Sequence, residues 1–397
     1  MKFKWQYYVI CVVVMGILNA LGLFRGALPT TLAYAFALAC GTWLSNVNFK
    51  EPEKAATPFE KFCTKIWGVV KSNPIVVMMV LVCIPVGLTI DNFFSLNNVN
   101  NLLCNVTVRF LIALGVSGCL ITKGTDLSAG RQAALAATLT GVMMQRIDYT
   151  GRLLTWLPEL NMWVVLLIVM LIGALIGLIS GTIISRLKVP PFIATLGIQT
   201  IVYGINLIYT NAQPIGSFQQ SFNDFFNWKM LKFLNIIDPK FKGFSGYILF
   251  MLLFAFLFWF LYNKTTHGKY MYAIGGNENA AEVSGVNVKK KLTEIYVIAG
   301  VMYAIAGFLM TGKSGGASAS MGVSYELEAI AGCTIGGVST TGGIGTVGGI
   351  MVGVLVFELL KVVLQFLNVD PNYNYIVQGL VVIVAVAMDI RKYVAKK

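Results

Sequence analysis

The sequence predicts an all-α polytopic membrane protein, and three observations carry that reading. Hydrophobic residues make up 57% of the 397 positions and charged residues 12%, against about half and a quarter in soluble chains. Apolar runs follow one another too closely for polar-surfaced globules, so one integral membrane domain is expected rather than several soluble ones. The net charge of +13 collects at the ends of those runs, where basic residues orient helices in a bilayer. No long basic block interleaved with aromatics accompanies it, so the lipid bilayer is an expected partner and nucleic acid is not.

Twelve apolar segments follow in order. The first, 7–24, comes after Lys2 and Lys4 with no small-residue cleavage site, and reads as a retained helix rather than a signal peptide. With 27–44 it forms an N-terminal hairpin, and a lysine-rich linker completes a unit over 1–74. The main domain, 75–397, holds segments 75–90, 102–122, 128–145, 163–186, 192–210, 244–262, 295–312, 327–341, 345–367 and 375–390. Several fall short of the ~20 residues that cross a bilayer, so tilted, broken or re-entrant segments are expected. Starting inside and alternating sides places the loops 45–74 and 263–294, with five lysines each, and the basic tail after Asp389 in the cytoplasm. Both termini are then cytoplasmic, and 327–341 must count as a crossing. Segments 102–210 and 295–390 become two groups of four with opposite entry sides, the pattern of an inverted repeat.

Two apparent nucleotide motifs lack their frame. "GFLMTGKSGG" (307–316) has the spacing of a phosphate loop, but Gly307 to Met310 lie within an apolar segment and no strand precedes them. "GGIGTVGG" (343–350) fits a dinucleotide fingerprint without a βαβ unit, and its small residues suit close helix packing better. The seven cysteines lack metal spacing, and His267 is the only histidine, so neither a zinc cluster nor a histidine relay is expected.

Three polar, glycine-rich stretches interrupt apolar segments: "TKGTDLSAGRQ" (122–132), "PPFIATLG" (190–197) and "EAIAGCTIGGVSTTGG" (328–343). Broken backbone at membrane depth is tolerated where it lines a cavity or packs inside protein. Asp126, Ser128, Gly130, Thr195, Gly197, Glu326, Glu328, Gly336 and Gly337 are therefore the residues assigned to a translocation path. For Asp126 and Ser128 the alternative is helix capping. For Glu326 and Glu328 it is a plain interfacial charge. Arg109 and Arg131 face the bundle interior or snorkel, and Glu358 with Lys361 reads as an ion pair within one helix. The outer loop 212–243, with Phe218, Phe222, Phe225, Phe226 and Trp228, either docks an external partner or covers helix ends. In the loop 263–294, Asn277 can cap a short helix that runs to about Ser284 and stops at Gly285. Such a helix either enters a groove of another protein or is a linker.

Four blocks together carry a resemblance: "IALGVSGCLITKGTDLSAGRQAALAATL" (112–139), "KVPPFIATLGIQTIVYGIN" (188–206), "YAIGGNENAAEVSGVNV" (272–288) and "YELEAIAGCTIGGVSTTGGIGTVGG" (325–349). They resemble the permease subunit of bacterial ATP-binding cassette importers for monosaccharides, of the ribose/xylose/galactose type and its galactose/methyl-galactoside members above all. The resemblance runs from about Ile75 to the C-terminus. It implies a ten-helix importer-permease core, a homodimeric pore of two permease chains, a cytoplasmic double-cassette ATPase and a periplasmic sugar-binding protein. It implies import of a monosaccharide, galactose/methyl-galactoside or glucose, across the bacterial inner membrane. This chain would then be no enzyme and bind no cofactor, with ATP and magnesium held on the partner ATPase. Gly275, Gly276, Asn277, Glu278, Ala281, Ser284 and Gly285 match the loop that engages the ATPase, with Glu282 on the same helix. Asp126, Leu127, Ser128 and Gly130 match the family's signature. The two extra N-terminal segments depart from that pattern. An ion-coupled symporter, or an importer of the same class carrying ribose, a nucleoside or a branched-chain amino acid, is the alternative.

Overall fold

The computed structural model describes residues 92–394 apart from 237, 238 and 371, together with 83, 86, 87 and 90. The expected segments 7–24 and 27–44, the linker 45–74 and most of 75–90 lie outside the described residues.

Helix α1, Leu96–Ile121, begins where the Ser95 hydroxyl accepts from the Asn98 amide and runs 26 residues, about 39 Å at 1.5 Å per residue. Helix α2, Ala129–Met143, has 15 residues. Helix α3, Met162–Arg186, is capped by Asn161, and α4, Pro191–Thr210, carries a proline in its first turn, where a missing N–H costs no helical bond. The long connection after α4 contains α5 (Gln220–Asn227), a 3-10 turn and a small antiparallel ladder of β1 (Lys229–Met230) with β2 (Phe244–Ser245). Helix α6, Ile248–Lys264, bends by 69° into α7, Thr266–Gly276. The short α8, Glu278–Val283, leads to α9, Val288–Ser314, of 27 residues. Helix α10, Tyr325–Ile335, has 11 residues, and α11 (Val347–Phe366) and α12 (Tyr373–Val394) complete the chain.

Helices α1, α3, α4, α9 and α11 are long and apolar enough to cross a membrane, and the bent α6–α7 pair adds a sixth if it counts as one span. The expected crossing 327–341 is half a span: α10 ends at Ile335, and glycine-rich turns follow.

Helix α9 packs against α1, α2 and α3 and forms the centre of the bundle. Gly173, Gly177 and Gly181 make one glycine edge along α3. A β-carbon on Gly177 would lie 2.2 Å from the Tyr296 carbonyl oxygen, and one on Gly300 would lie 2.1 Å from that of Gly173. With no side chain at these positions the two backbones touch, which is how helices gain dispersion contact where lipid is as apolar as leucine. Both apparent nucleotide motifs are seams of this kind. Gly307 abuts Ala133 of α2, and Gly349 at the start of α11 abuts Gly336. The aromatics of the connection after α4 are mostly a plug. Phe222 and Phe226 are buried, and the Phe222 ring meets Phe308 edge to face at 5.4 Å, so covering helix ends is their role, while Trp228 stays exposed.

Candidate functional site

Two breaks in the helices meet at the middle of the bundle. After α1 the chain runs without regular structure through 122–128 and re-enters a helix at α2; after α9 it does the same through 315–324 and re-enters at α10. The second helix of each pair is short because its first turns are replaced by this irregular chain. The breaks touch where a β-carbon on Gly130 would lie 2.3 Å from the Gly322 carbonyl oxygen, and Gly322 itself has a φ of +71°. Only glycine satisfies both the contact and that backbone angle.

Around this contact the irregular backbone finds its hydrogen bonds inside the protein, as a membrane requires. Asp126 is 1% exposed. Its Oδ1 accepts from the Ser128 amide at 2.9 Å and the Ser128 hydroxyl at 2.5 Å, and its Oδ2 accepts from the Tyr303 hydroxyl at 3.0 Å. The capping alternative thus holds in altered form: Asp126 secures the start of α2, and Ser128, which holds the cap position, donates to Asp126 rather than capping. Gln132 donates to the Ser128 hydroxyl at 2.7 Å. Thr195, on the first turn of α4, accepts from the Leu127 amide at 3.2 Å and ties that helix to the same break. The Glu326 carboxylate lies over Gly130.

Asp126, Ser128, Gly130, Thr195 and Glu326 therefore converge, whereas four other expected path residues do not. Gly197 faces open space, Gly336 is spent on the α10–α11 seam, and Gly337 makes a turn with φ of +85°. Glu328 belongs to a separate ion cluster. Its Oε2 is 2.7 Å from Arg109 Nε of α1 and 2.6 Å from Lys361 Nζ of α11, and its Oε1 accepts from Gln378 of α12 at 3.1 Å. Glu358 joins at 3.0 Å from Arg109.

The interfacial reading of Glu326 and Glu328 is thus corrected, since both are buried. The expected pairing of Glu358 with Lys361 within one helix is present at 3.8 Å, and each also has a nearer partner on another helix. Balancing two carboxylates with two cations removes the cost of isolated charge in a low-dielectric bundle.

At the basic end of the bundle α7 and α8 form an elbow. Asn277 is extended, with φ of −153°, and its side chain accepts from the Ala280 amide at 3.1 Å, starting α8 as the sequence indicates. The helix is shorter than expected, six residues, and Gly285 ends it at φ of +87°. Ala281 is its buried anchor, packed with Ile274, Val286 and Val288, while Glu278, Glu282 and Val283 are exposed, Val283 at 90%. The Ser284 hydroxyl donates back to the Ala280 carbonyl at 2.7 Å.

Gly275 is pressed against the end of α1, where a β-carbon would lie 1.8 Å from the Ile121 carbonyl oxygen, and the Gly276 carbonyl accepts from Lys123 at 3.2 Å. Tyr272 donates to the Gly345 carbonyl at 2.8 Å, and the Gly343 amide bonds Ile121 at 2.8 Å. The elbow thus grips the end of α1 and the α10–α11 connection together. His267, in the first turn of α7, is held below the ordinary histidine range by burial, against the pull of Glu294 at 3.4 Å. Among the described residues no cluster of histidine, cysteine or carboxylate side chains is suited to a metal ion.

Sequence reasoning missed Tyr303, Tyr272 and Gln378. Tyr303 and Gln378 leave only a hydroxyl or amide inside an apolar run as a local sign, and Tyr272 is one of two tyrosines in the polar loop 263–294 with nothing to single it out.

The family described as "Branched-chain amino acid transport system / permease component" matches residues 98–386. The galactose/methyl galactoside import permease protein MglC of Haemophilus influenzae is 42% identical over 336 residues, covering 84% of this chain and 98% of that protein. The Escherichia coli K12 protein of the same name is 44% identical over 326 residues, covering 81% and 94%. The ribose import permease protein RbsC of H. influenzae is 33% identical over 320 residues, covering 81% and 93%. No solved structure matches the chain. With apolar helices long enough to span a bilayer and this continuous likeness, the chain belongs to the branched-chain amino acid transport system / permease family, as a multi-pass permease subunit of the ATP-binding cassette sugar-importer type.

Proposed function

We propose that this chain is the membrane-spanning subunit of an ATP-driven importer for a monosaccharide of the galactose/methyl-galactoside kind, working in the bacterial inner membrane with both termini in the cytoplasm. The carrying observation is the α7–α8 elbow. An exposed helix, anchored on one apolar side, is clamped to the ends of helices from both halves of the bundle. Two such chains form the pore, a double-cassette ATPase grips α8 through Glu278, Glu282 and Val283, and a periplasmic sugar-binding protein delivers cargo. ATP and magnesium reside on the ATPase. Helices α1–α4 and α9–α12 are the two halves of an inverted repeat, a reading supported by the order of each half: a long helix, an irregular break, a short helix and two further helices.

Closure of the cassettes moves the elbow, and the elbow moves Ile121 and Gly343 together, so the two breaks at Gly130 and Gly322 shift against each other. Asp126, Ser128 and Thr195 hold the first break in shape during that motion, and Glu326 lines the seam beside them. Coupled to a partner, the gate needs differential contacts in its two states rather than tight sugar binding.

Proteoliposomes holding the chain, its double-cassette ATPase and its binding protein are expected to accumulate labelled galactose only with ATP. Glu278→Lys with Glu282→Lys abolishes accumulation and leaves folded yield unchanged. Accumulation by the chain alone under a proton or sodium gradient would sink this reading in favour of a symporter, and transport of ribose but not galactose would correct the cargo.

A further inference from the structure

Along the outside of the glycine seam, at the basic end of the bundle, α3 and α9 border a groove of about 930 Å³. Its mouth holds Arg186, the last residue of α3, with Lys289 and Lys290 in the first turn of α9. All three are exposed, and none makes an ion pair with another of the described residues. Glu294 also lines the groove, but Lys291 neutralises it at 2.6 Å, so the mouth carries three uncompensated positive charges. Beyond Thr182 and Thr293 the lining is apolar, from Leu178, Val297 and Ile298. It continues a strip of α3 in which Leu171, Leu175 and Ile179 are all exposed.

A cationic mouth over an apolar wall that opens onto a lipid-facing strip is complementary to one kind of molecule: a phosphate head joined to acyl chains. We infer that this groove binds an anionic phospholipid, with its phosphate at Arg186, Lys289 and Lys290 and an acyl chain along α3. A soluble polyanion would use the mouth and leave the wall wet. A neutral lipid would use the wall and leave the charges unmatched. The bound lipid would bridge the end of α3 and the start of α9, near the Lys188–Glu278 contact of 3.9 Å that leads to α8.

The test is retention of phosphatidylglycerol by the purified full chain in neutral detergent, measured by native mass spectrometry, with phosphatidylcholine and inorganic phosphate as competitors. Each basic residue near an anionic headgroup contributes on the order of fivefold in affinity, so removing three weakens retention by roughly a hundredfold at low salt. Arg186→Gln with Lys289→Gln and Lys290→Gln is expected to lose phosphatidylglycerol by about that factor, while Lys232→Gln with Lys242→Gln, at the other end of the bundle, keeps it. Should the triple variant fail to fold, Arg186→Gln alone is expected to lose about fivefold, and Leu178→Trp, which fills the groove without touching charge, also loses lipid. Unchanged retention in these variants, equal retention of phosphatidylcholine, or displacement by millimolar inorganic phosphate would each overturn the inference. Retention is read without transport, so its failure leaves the importer reading intact, and failed uptake leaves this one intact.

Discussion

Helices α1 and α3 are nearly equal in length, 26 and 25 residues, yet they live in opposite surroundings. The apolar window of α1 is 89% buried within the protein and that of α3 only 22%, although α3 is the more hydrophobic, with mean hydropathy 3.0 against 1.8. Burial also separates α9, 78% buried, from α4, 28% buried, although there the exposed helix has the lower mean hydropathy, 1.5 against 1.8. In a soluble protein the most apolar helix would be the innermost. Here lipid accepts the apolar face at no cost, and the interior is where Arg109, Thr107 and Ser117 of α1 find partners. The two exposed helices, α3 and α4, thus have the highest and the lowest mean hydropathy of the five, 3.0 and 1.5, so hydropathy by itself does not mark the wall, whereas partnered polar residues and close-packed glycines mark the interior.

The largest expected effect comes from breaking the centre. Arg109→Leu leaves the carboxylates of Glu328 and Glu358 beside Lys361 alone, and loss of one partner from a buried ion cluster costs about 3–5 kcal/mol. Folded yield by size-exclusion chromatography should collapse. Glu328→Gln, which keeps hydrogen-bonding atoms in place, should lose less than Glu328→Leu. Comparable yields for Arg109→Leu and wild type would show the cluster to be hydrated and not a joint.

Next is the seam between centre and wall. Gly177→Leu forces α3 off α9, an overpacking cost of about 1–3 kcal/mol or more, whereas Gly197→Ala on α4 meets no atom within 4 Å and should be neutral or slightly stabilising. Thermal unfolding in detergent compares them directly, and equal losses would mean that Gly197 is covered in the working assembly.

Smaller still is Thr195→Val, which removes the acceptor for the Leu127 amide and should cost about 1 kcal/mol. Its effect on uptake should exceed its effect on stability if the break at 122–128 moves during transport. The smallest effect belongs to the wall: Leu171→Ala, at a side chain 63% exposed, should shift stability by no more than about 0.5 kcal/mol. A loss as large as that of Gly177→Leu would erase the contrast between the two regions and place another protein surface, not lipid, against α3.

The elbow was the most legible part of the candidate site. Asn277 as a cap and Gly285 as a stop are local signals, and each does what its residue type favours. The breaks were legible as glycine-rich polar stretches, but their meeting was not. Nothing in "TKGTDLSAGRQ" says that it touches Gly322. The same limit explains why the sequence leaves Glu328 between a path residue and an interfacial charge and does not point to an ion cluster. Its register places it near the start of a segment, and only the burial of that start, half-way across the bundle, makes it an interior group.

The sequence alone determined the membrane class, the order and approximate positions of the apolar helices among the described residues (though not α5 or α7), the Asn277 cap and Gly285 stop of α8, and the family, because each is written in composition, in runs of neighbouring residues or in short motifs. Tertiary structure alone decided which helices form the wall, which glycines become seams and which charges pair. Arg109 and Glu328 are 219 positions apart, and no local period connects them. Their bond exists because the short α10 begins inside the bundle beside α1, where an unpaired charge would be too costly to keep.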